Sequence, residues 1–316
     1  MRYMKWFILT FAAAAPIHAY AADECQTLTD TFDDAIRSKQ GPAIESAFNA
    51  IATNVECDFQ KDKFRVSAVD AEIEVLSDSA QSSAHQAALA FVTQTLSVAG
   101  RWQLADKLGD YFWRAGSQSE AKTWYEAALS IADTHPMYPL SREDRQKLAL
   151  RASGAWILAS NDDEGRKPAK PIRAVGPDGR VTGVLAISNK GAKPVAVPLP
   201  VNFVFAKTDF TPVGQAAADD LAKAIAELGV HSLKLIGHAD PVGDKNYNLV
   251  LSRQRAERLR DYLLAKLASA GAAPVIHTAG VGDTQPFDIS VLPIRPSQEE
   301  IYALDRRVEF IREDQQ

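Results

Sequence analysis

Gly237-His238-Ala239-Asp240-Pro241-Val242-Gly243, followed by Tyr247-Asn248-x-x-Leu251-Ser252-x-x-Arg255-Ala256, is the run on which the reading of this 316-residue chain turns. Leu233 to Gly237 reads as a strand, and a helix follows from about Leu249 with Ala256, Leu259, Leu263 and Leu267 on its buried face. The run therefore places one carboxylate in the turn after a strand and one guanidinium about two turns into the next helix. With the loop folded back over that helix, Asp240 and Arg255 converge on one pocket. Such a pair grips a free amino acid head group, Asp taking the ammonium and Arg the carboxylate in a bidentate fork. A plain salt bridge tying loop to helix is the other reading of the same two residues, and exposed pairs of that kind contribute little.

The pattern around this run alternates strand and helix. Val201 to Phe205 reads as a strand, and Thr211-Pro212 opens a helix that puts Ala217, Leu221, Ile225 and Leu228 on one face. Val275 to Ala279 and Arg307 to Ile311 supply two further strands. The order predicts an α/β sandwich with helices packed on a four-stranded sheet.

Four elements, G-H-x-D-x-x-G, Y-N-x-x-L-S-x-x-R-A, Gly280-x-Gly282-x-x-x-Pro286 and Arg306-Arg307-Val308, occur in one order over residues 198–313. Together they resemble the OmpA C-terminal-like domain, the peptidoglycan-binding module of OmpA-type porins, the Pal lipoprotein and MotB-type motor proteins. The resemblance implies that Asp240 and Arg255 hold the amino and carboxylate groups of meso-diaminopimelate in an uncrosslinked stem peptide. It further implies that Asn248 braces the loop and Leu251 shapes the site. Binding of this kind is non-covalent, so no nucleophile, metal or cofactor is implied, and the expected protein is not an enzyme. Three positions depart from the family pattern: Ala239 stands where Thr is usual, Asp305 where Asn is usual, and Ala206 where many members carry an Asp that lines the pocket. The last bears on ligand strength. It keeps open an alternative, a protein-interaction scaffold whose OmpA-like domain no longer binds peptidoglycan.

Upstream, six Pro and five Gly fall between 161 and 200, so 161–197 reads as a linker before a domain at 198–316. Within it, Ile172 to Val175 and Val181 to Ile187 flank Gly176-Pro177-Asp178-Gly179 and suit a small hairpin. Residues 22–160 are rich in Ala with apolar residues at helical spacing, which predicts an all-α region of helical hairpins. The stretch from Phe59 to Leu76 carries several β-branched residues but no turn chemistry, and is read as helix. Leu108-Gly109, Phe112, Gly116, Ala121, Tyr125 and Ala128 resemble one tetratricopeptide unit, in which a small residue on one helix faces an aromatic one on the next. Either its neighbours have diverged or this is a hairpin in another kind of bundle. Trp102, Trp113, Trp124 and Trp156 are read as core, since Gly116 interrupts any continuous stripe.

The first 21 residues read as a signal peptide: Arg2 and Lys5, an apolar stretch from Trp6 to Ala15, and a small-x-small Ala19-Tyr20-Ala21. Export to the periplasm of a Gram-negative envelope, in association with peptidoglycan or the outer membrane, is the expectation, with no transmembrane segment in the mature chain. Cys25 and Cys57, an even count in an exported chain, suggest one disulfide, two buried thiols being the other reading. The composition, 46% hydrophobic and 24% charged with net charge −5, excludes wholesale disorder and argues against nucleic acid as a partner. His231 and His277 have no carboxylate or cysteine at ligand spacing, so no metal site is expected. The expected partners are peptidoglycan and a protein, not identifiable from the sequence, that meets the helical region.

Overall fold

The computed structural model describes residues 17–78, 83–135, 137–161, 174–175, 181–182, 196–204 and 206–313. Most of the expected signal peptide and most of 161–197 lie outside these residues. The chain divides into two compact units, 1–95 and 96–316. Composition marked a change near 160, whereas packing groups the three helices before that point with the C-terminal sheet.

The first unit is helical: α1 (Ile17–Ser38), α2 (Gly41–Thr53), a 3-10 turn (Val55–Gln60), α3 (Lys61–Asp78) and the first part of α4 (Ser83–Ala99). Cys25 and Cys57 form a disulfide that ties α1 to the 3-10 turn. Closing a loop of 32 residues is worth roughly 3 to 4 kcal/mol in chain entropy. Phe32 meets Phe64 edge-on at 5.3 Å and Phe48 meets Phe91 at 5.8 Å. The β-branched stretch is helical because Phe64, Ala68, Val69, Ile73 and Leu76 fall on one buried face at helical, not alternating, spacing.

Glu72 shares that buried face. Its Oε2 lies 2.8 Å from where a side chain on Gly41 would begin and has no hydrogen-bond partner among the described residues. Burial, and then the charge of Glu45, push its carboxyl up to about 7. In the unfolded chain the group ionises near its ordinary value, so the unfolded state gains as pH rises between the two values. The first unit is therefore expected to lose up to about 3 kcal/mol of stability from pH 4.5 to 7, with no further loss above. Hydrogen exchange of α3 amides at pH 5 and pH 8 measures this, and Glu72→Gln should abolish the difference; an unchanged pH response in that variant would disprove it.

The second unit contains α5 (Trp102–Arg114), α6 (Gln118–Thr134) and α7 (Arg142–Asn161). A side chain on Gly109 would begin 2.5 Å from the Tyr125 ring, so glycine is what lets α5 and α6 close on each other. Tyr125 is fully buried and donates to Asp110 at 2.9 Å. Trp102, Trp113 and Trp156 are buried and Trp124 is half-buried. Strands β1 (Ala174–Val175) and β2 (Val181–Thr182) pair antiparallel, Val175 opposite Val181. The intervening 176–180 lie outside the described residues.

The remaining elements are β3 (Val197–Leu199), α8 (Pro212–Glu227), β4 (Ser232–Gly237), α9 (Lys245–Ser269), β5 (Val275–Gly280), α10 (Gln298–Asp305) and β6 (Val308–Arg312). The sheet order is β3-β6-β4-β5, with β4 and β5 parallel and the other pairs antiparallel. Helix α8 packs on α9, which covers β4 and β5. This is the expected α/β sandwich, joined to an all-α N-terminal region. The strand expected at 201–205 is instead β3 at 197–199, with Phe203 making only an isolated bridge to Phe210. The chain has already turned there, because the Asn202 carbonyl accepts from the Thr211 amide at 3.0 Å. Thr211 then caps α8 by accepting from the Gly214 amide. No helix among the described residues is long and apolar enough to cross a membrane.

Candidate functional site

The loop after β4 is held from beneath. His238 is buried and its Nδ1 lies 3.1 Å from the Gln285 carbonyl oxygen, while its Nε2 is 3.4 Å from Glu309 Oε2. Arg307 donates to Glu309 Oε1 at 2.6 Å and to the Gln285 carbonyl at 3.2 Å. Burial alone would raise the Glu309 carboxyl, but His238 and Arg307 outweigh it and hold the group down at about 2. Glu309 is thus a carboxylate at any ordinary pH. His238 serves the loop as a structural group.

On this base Asp240, Asn248, Leu251 and Arg255 line one cleft of about 250 Å³. Asn248 braces the loop directly: its Nδ2 donates to the carbonyls of Asp240 at 3.1 Å and Val242 at 3.0 Å. Helix α9 starts at Lys245, capped by Asp244 accepting from the Tyr247 amide at 2.9 Å, which brings Asn248 into its first turn. Leu251, 8% exposed, gives the cleft an apolar floor.

Arg255 is only 6% exposed. Its Nε donates to the Lys207 carbonyl at 3.1 Å and its guanidinium stacks over Phe203, 5.2 Å from the ring centre. Its two terminal nitrogens have no hydrogen-bond partner among the described residues. Burial, and then the positive charge of Arg306, hold its pKa below the usual guanidinium value, against the pull of Asp240 and Tyr247. Asp240 does not pair with Arg255. Its Oδ2 accepts from Arg306 Nη1 at 2.8 Å and its Oδ1 from the Val242 amide at 3.0 Å.

Arg306, Tyr247 and Tyr302 complete the walls, and sequence reasoning gave none of them a role. A signal for Arg306 existed. Arg306 and Arg307 are consecutive at the entry to a strand, where neighbouring side chains leave on opposite faces, so one of the two must turn from the core toward the loop. Ala206 also lines the cleft, with φ +54°, and its carbonyl accepts from the Tyr247 hydroxyl at 3.3 Å. Ala239 lies in the same wall, its amide bonded to the Gly282 carbonyl at 2.9 Å. Asp305 is buried beneath it, accepting from the Phe287 amide at 2.8 Å, and burial raises its carboxyl. Among the described residues no three His, Cys, Asp or Glu gather as a metal set would.

Residues 202–298 match the OmpA family. Outer membrane protein A of Yersinia pseudotuberculosis serotype I (strain IP32953) is 29% identical over 235 residues, 65% of this chain and 63% of that protein. Outer membrane protein A of Shigella flexneri is 31% identical over 227 residues, 65% of this chain and 63% of that protein. The chain thus spans less than two thirds of the length of these curated relatives. Among solved structures, the cell wall anchor of the T6SS from Pseudomonas aeruginosa is 27% identical, covering 37% of this chain and 78% of that one at a TM-score of 0.28. Sheet, helices, loop motif and family match agree on one conclusion: this chain carries an OmpA family domain at residues 202–298.

Proposed function

We propose that the OmpA family domain holds peptidoglycan non-covalently by the free end of a meso-diaminopimelate stem peptide, and so anchors the helical part of the chain to the cell wall in the periplasm. Arg255 carries the reading: it is buried, fixed through Nε, and left with two terminal nitrogens unpartnered among the described residues at a cleft shared with Asp240. A guanidinium fixed in this way, with its terminal nitrogens turned to the cleft, can donate two parallel hydrogen bonds to a carboxylate. Asp240 is the carboxylate among the described residues that line the cleft, and by this reading it takes the adjacent ammonium. The helical part, by this reading, meets a protein partner.

The test is co-sedimentation of the mature chain with purified diaminopimelate-type sacculi, beside Asp240→Ala and Arg255→Ala variants whose folding is checked by circular dichroism. Wild type is expected to pellet, and each variant to bind at least about tenfold more weakly. If wild type stays in solution, or the folded variants pellet like wild type, the clamp is wrong. The domain is then a scaffold that no longer binds peptidoglycan.

A further inference from the structure

The two edges of the C-terminal sheet differ. Strand β3 is three residues long and carries Pro198, both devices that keep an edge from pairing further. Strand β5, Val275-Ile276-His277-Thr278-Ala279-Gly280, is six residues long and holds no proline, lysine or carboxylate. The amides of Val275 and Val281 donate to the carbonyls of His231 and Gly237, at 2.9 and 3.0 Å, so the odd-numbered residues of β5 face β4. Ile276, Thr278 and Gly280 therefore turn their amides and carbonyls outward, and among the described residues none of these groups is hydrogen-bonded. The edge is complementary to itself. An antiparallel copy centred on Thr278 pairs Thr278 with Thr278, Ile276 with Gly280 and His277 with Ala279, a small residue opposite each large one, through about six hydrogen bonds. Moving the centre toward the N-terminus engages Pro274, which has no N–H. Moving it the other way engages Gly282, whose amide already donates to Ser252 Oγ and whose carbonyl accepts from the Ala239 amide.

The covering layer fits the same two-fold axis. Side chains on Gly237 and Gly280 would begin against the consecutive residues Ser252 and Arg253, so α9 lies between β4 and β5. With strands about 4.8 Å apart, two such helices would lie about 10 Å apart, a helix-packing distance. The flank of α9 toward β5 carries Leu249, Arg253, Glu257, Arg260 and Leu264 at helical spacing. Thr278, two residues before Gly280, falls about four residues along α9 from Arg253, beside the middle of that flank. The exposed Leu249 and Leu264 are equally far from this middle and meet reciprocally when the two helices run antiparallel. Arg253 and Arg260 bring their own carboxylates, Glu257 at 3.4 Å and Asp261 at 2.7 Å, so no single-sign field opposes the contact. We propose that two copies of this chain pair antiparallel through β5, centred on Thr278, into one continuous sheet with their α9 helices side by side. The cleft of Asn248, Leu251 and Arg255 opens on the other flank of α9 and stays free in both copies, so the pairing does not depend on what the cleft holds.

Sedimentation velocity of the full mature chain from about 1 to 200 µM is expected to show the mass doubling, with a midpoint at about 10 µM. Over the same range, hydrogen exchange at the amides of Ile276, Thr278 and Gly280 should slow at least about tenfold. Thr278→Pro removes an N–H that points outward, which an edge strand tolerates, and should weaken the dimer at least about 30-fold while circular dichroism stays unchanged. Ala279→Lys, which sets a cation opposite His277 of the second copy, should act in the same direction, and it decides the matter if the proline variant does not fold. A chain that stays monomeric at about 200 µM overturns the inference. So does a dimer that survives in the folded variants, or one whose formation leaves exchange at these three amides unchanged, because the contact would then lie elsewhere on the molecule.

Discussion

Gly237→Ala is expected to unfold the C-terminal sheet and its covering helix, or to destabilise them by at least about 4 kcal/mol. Gly237 is the last residue of β4, and a side chain there would begin 1.9 Å from the carbonyl oxygen of Ser252 in α9. The obstacle is backbone, so no rotamer relieves it; α9 itself must move off the sheet. On the neighbouring strand Gly280 meets the Arg253 amide nitrogen in the same way, at 2.3 Å, so a shift that relieved one contact would still have to respect the other. Helix α9 carries Asn248, Leu251 and Arg255, and any displacement large enough to admit the methyl group opens the cleft. Gly229→Ala is the control: its φ is +57° but nothing lies within 4 Å, so it should cost only about 1 kcal/mol through backbone strain. Urea denaturation of both variants followed by circular dichroism decides the matter. A Gly237→Ala protein within about 1 kcal/mol of wild type would mean that close approach of α9 to β4 is not what builds the site.

How much of this was legible varied with the kind of signal. The two glycines at the ends of adjacent parallel strands, the Asp in the turn and the Arg on the helix are short-range patterns, and the structure places all of them on or under one cleft. Helix α9 begins four residues before Leu249, where the apolar pattern places its start, because Asp244 caps it, a start set by a hydrogen bond and not by periodicity. Strand β3 was hidden by Pro198, which reads as linker; an edge strand tolerates proline because the missing donor faces away from the ladder. The capping box Ser297-x-x-Glu300 that opens α10 is a local signal, Ser and Glu three residues apart, that the sequence carries openly. Arg306 as the partner of Asp240 was harder, since 66 residues separate them and only the sheet brings them together. The grouping of α5, α6 and α7 with the sheet was beyond the sequence, for it depends on α7 packing against β3 and α10 and on one arginine reaching a carbonyl 140 residues along the chain.

That arginine makes the second large prediction. Arg151 of α7 is 7% exposed and donates to Asp106 at 2.6 Å, to Asp110 at 2.8 Å and, through Nε, to the Val291 carbonyl at 2.6 Å. Arg151→Met keeps much of the apolar stem but leaves two half-buried carboxylates facing each other, with Arg114, 3.9 Å from Asp110, and Lys147, whose charge acts on Asp106, as weaker compensation. Burial already raises the Asp106 carboxyl against the opposing pull of Arg151. The variant is expected to lose about 3 to 5 kcal/mol at pH 7. The sign of its pH dependence identifies the cause. Without the cation the Asp106 carboxyl, already raised by burial, loses the pull that opposed that rise, so the penalty grows as pH rises above about 4 and shrinks below it. Guanidinium denaturation followed by the fluorescence of the buried Trp102, Trp113 and Trp156 should therefore show a wild-type-to-variant gap that narrows on going from pH 7 to pH 4. A gap that is constant with pH would trace the loss to packing alone, around Gly154, where Phe287 and Leu292 of the same loop press on α7. The outcome bears on the proposed anchoring, because α7 and β3, which precede and follow the Pro/Gly-rich segment, pack on each other. Tension between a wall-bound cleft and helices α5–α7 would then run through Arg151 and its neighbours as well as along the covalent segment, making that part of the helical region a rigid extension of the anchor.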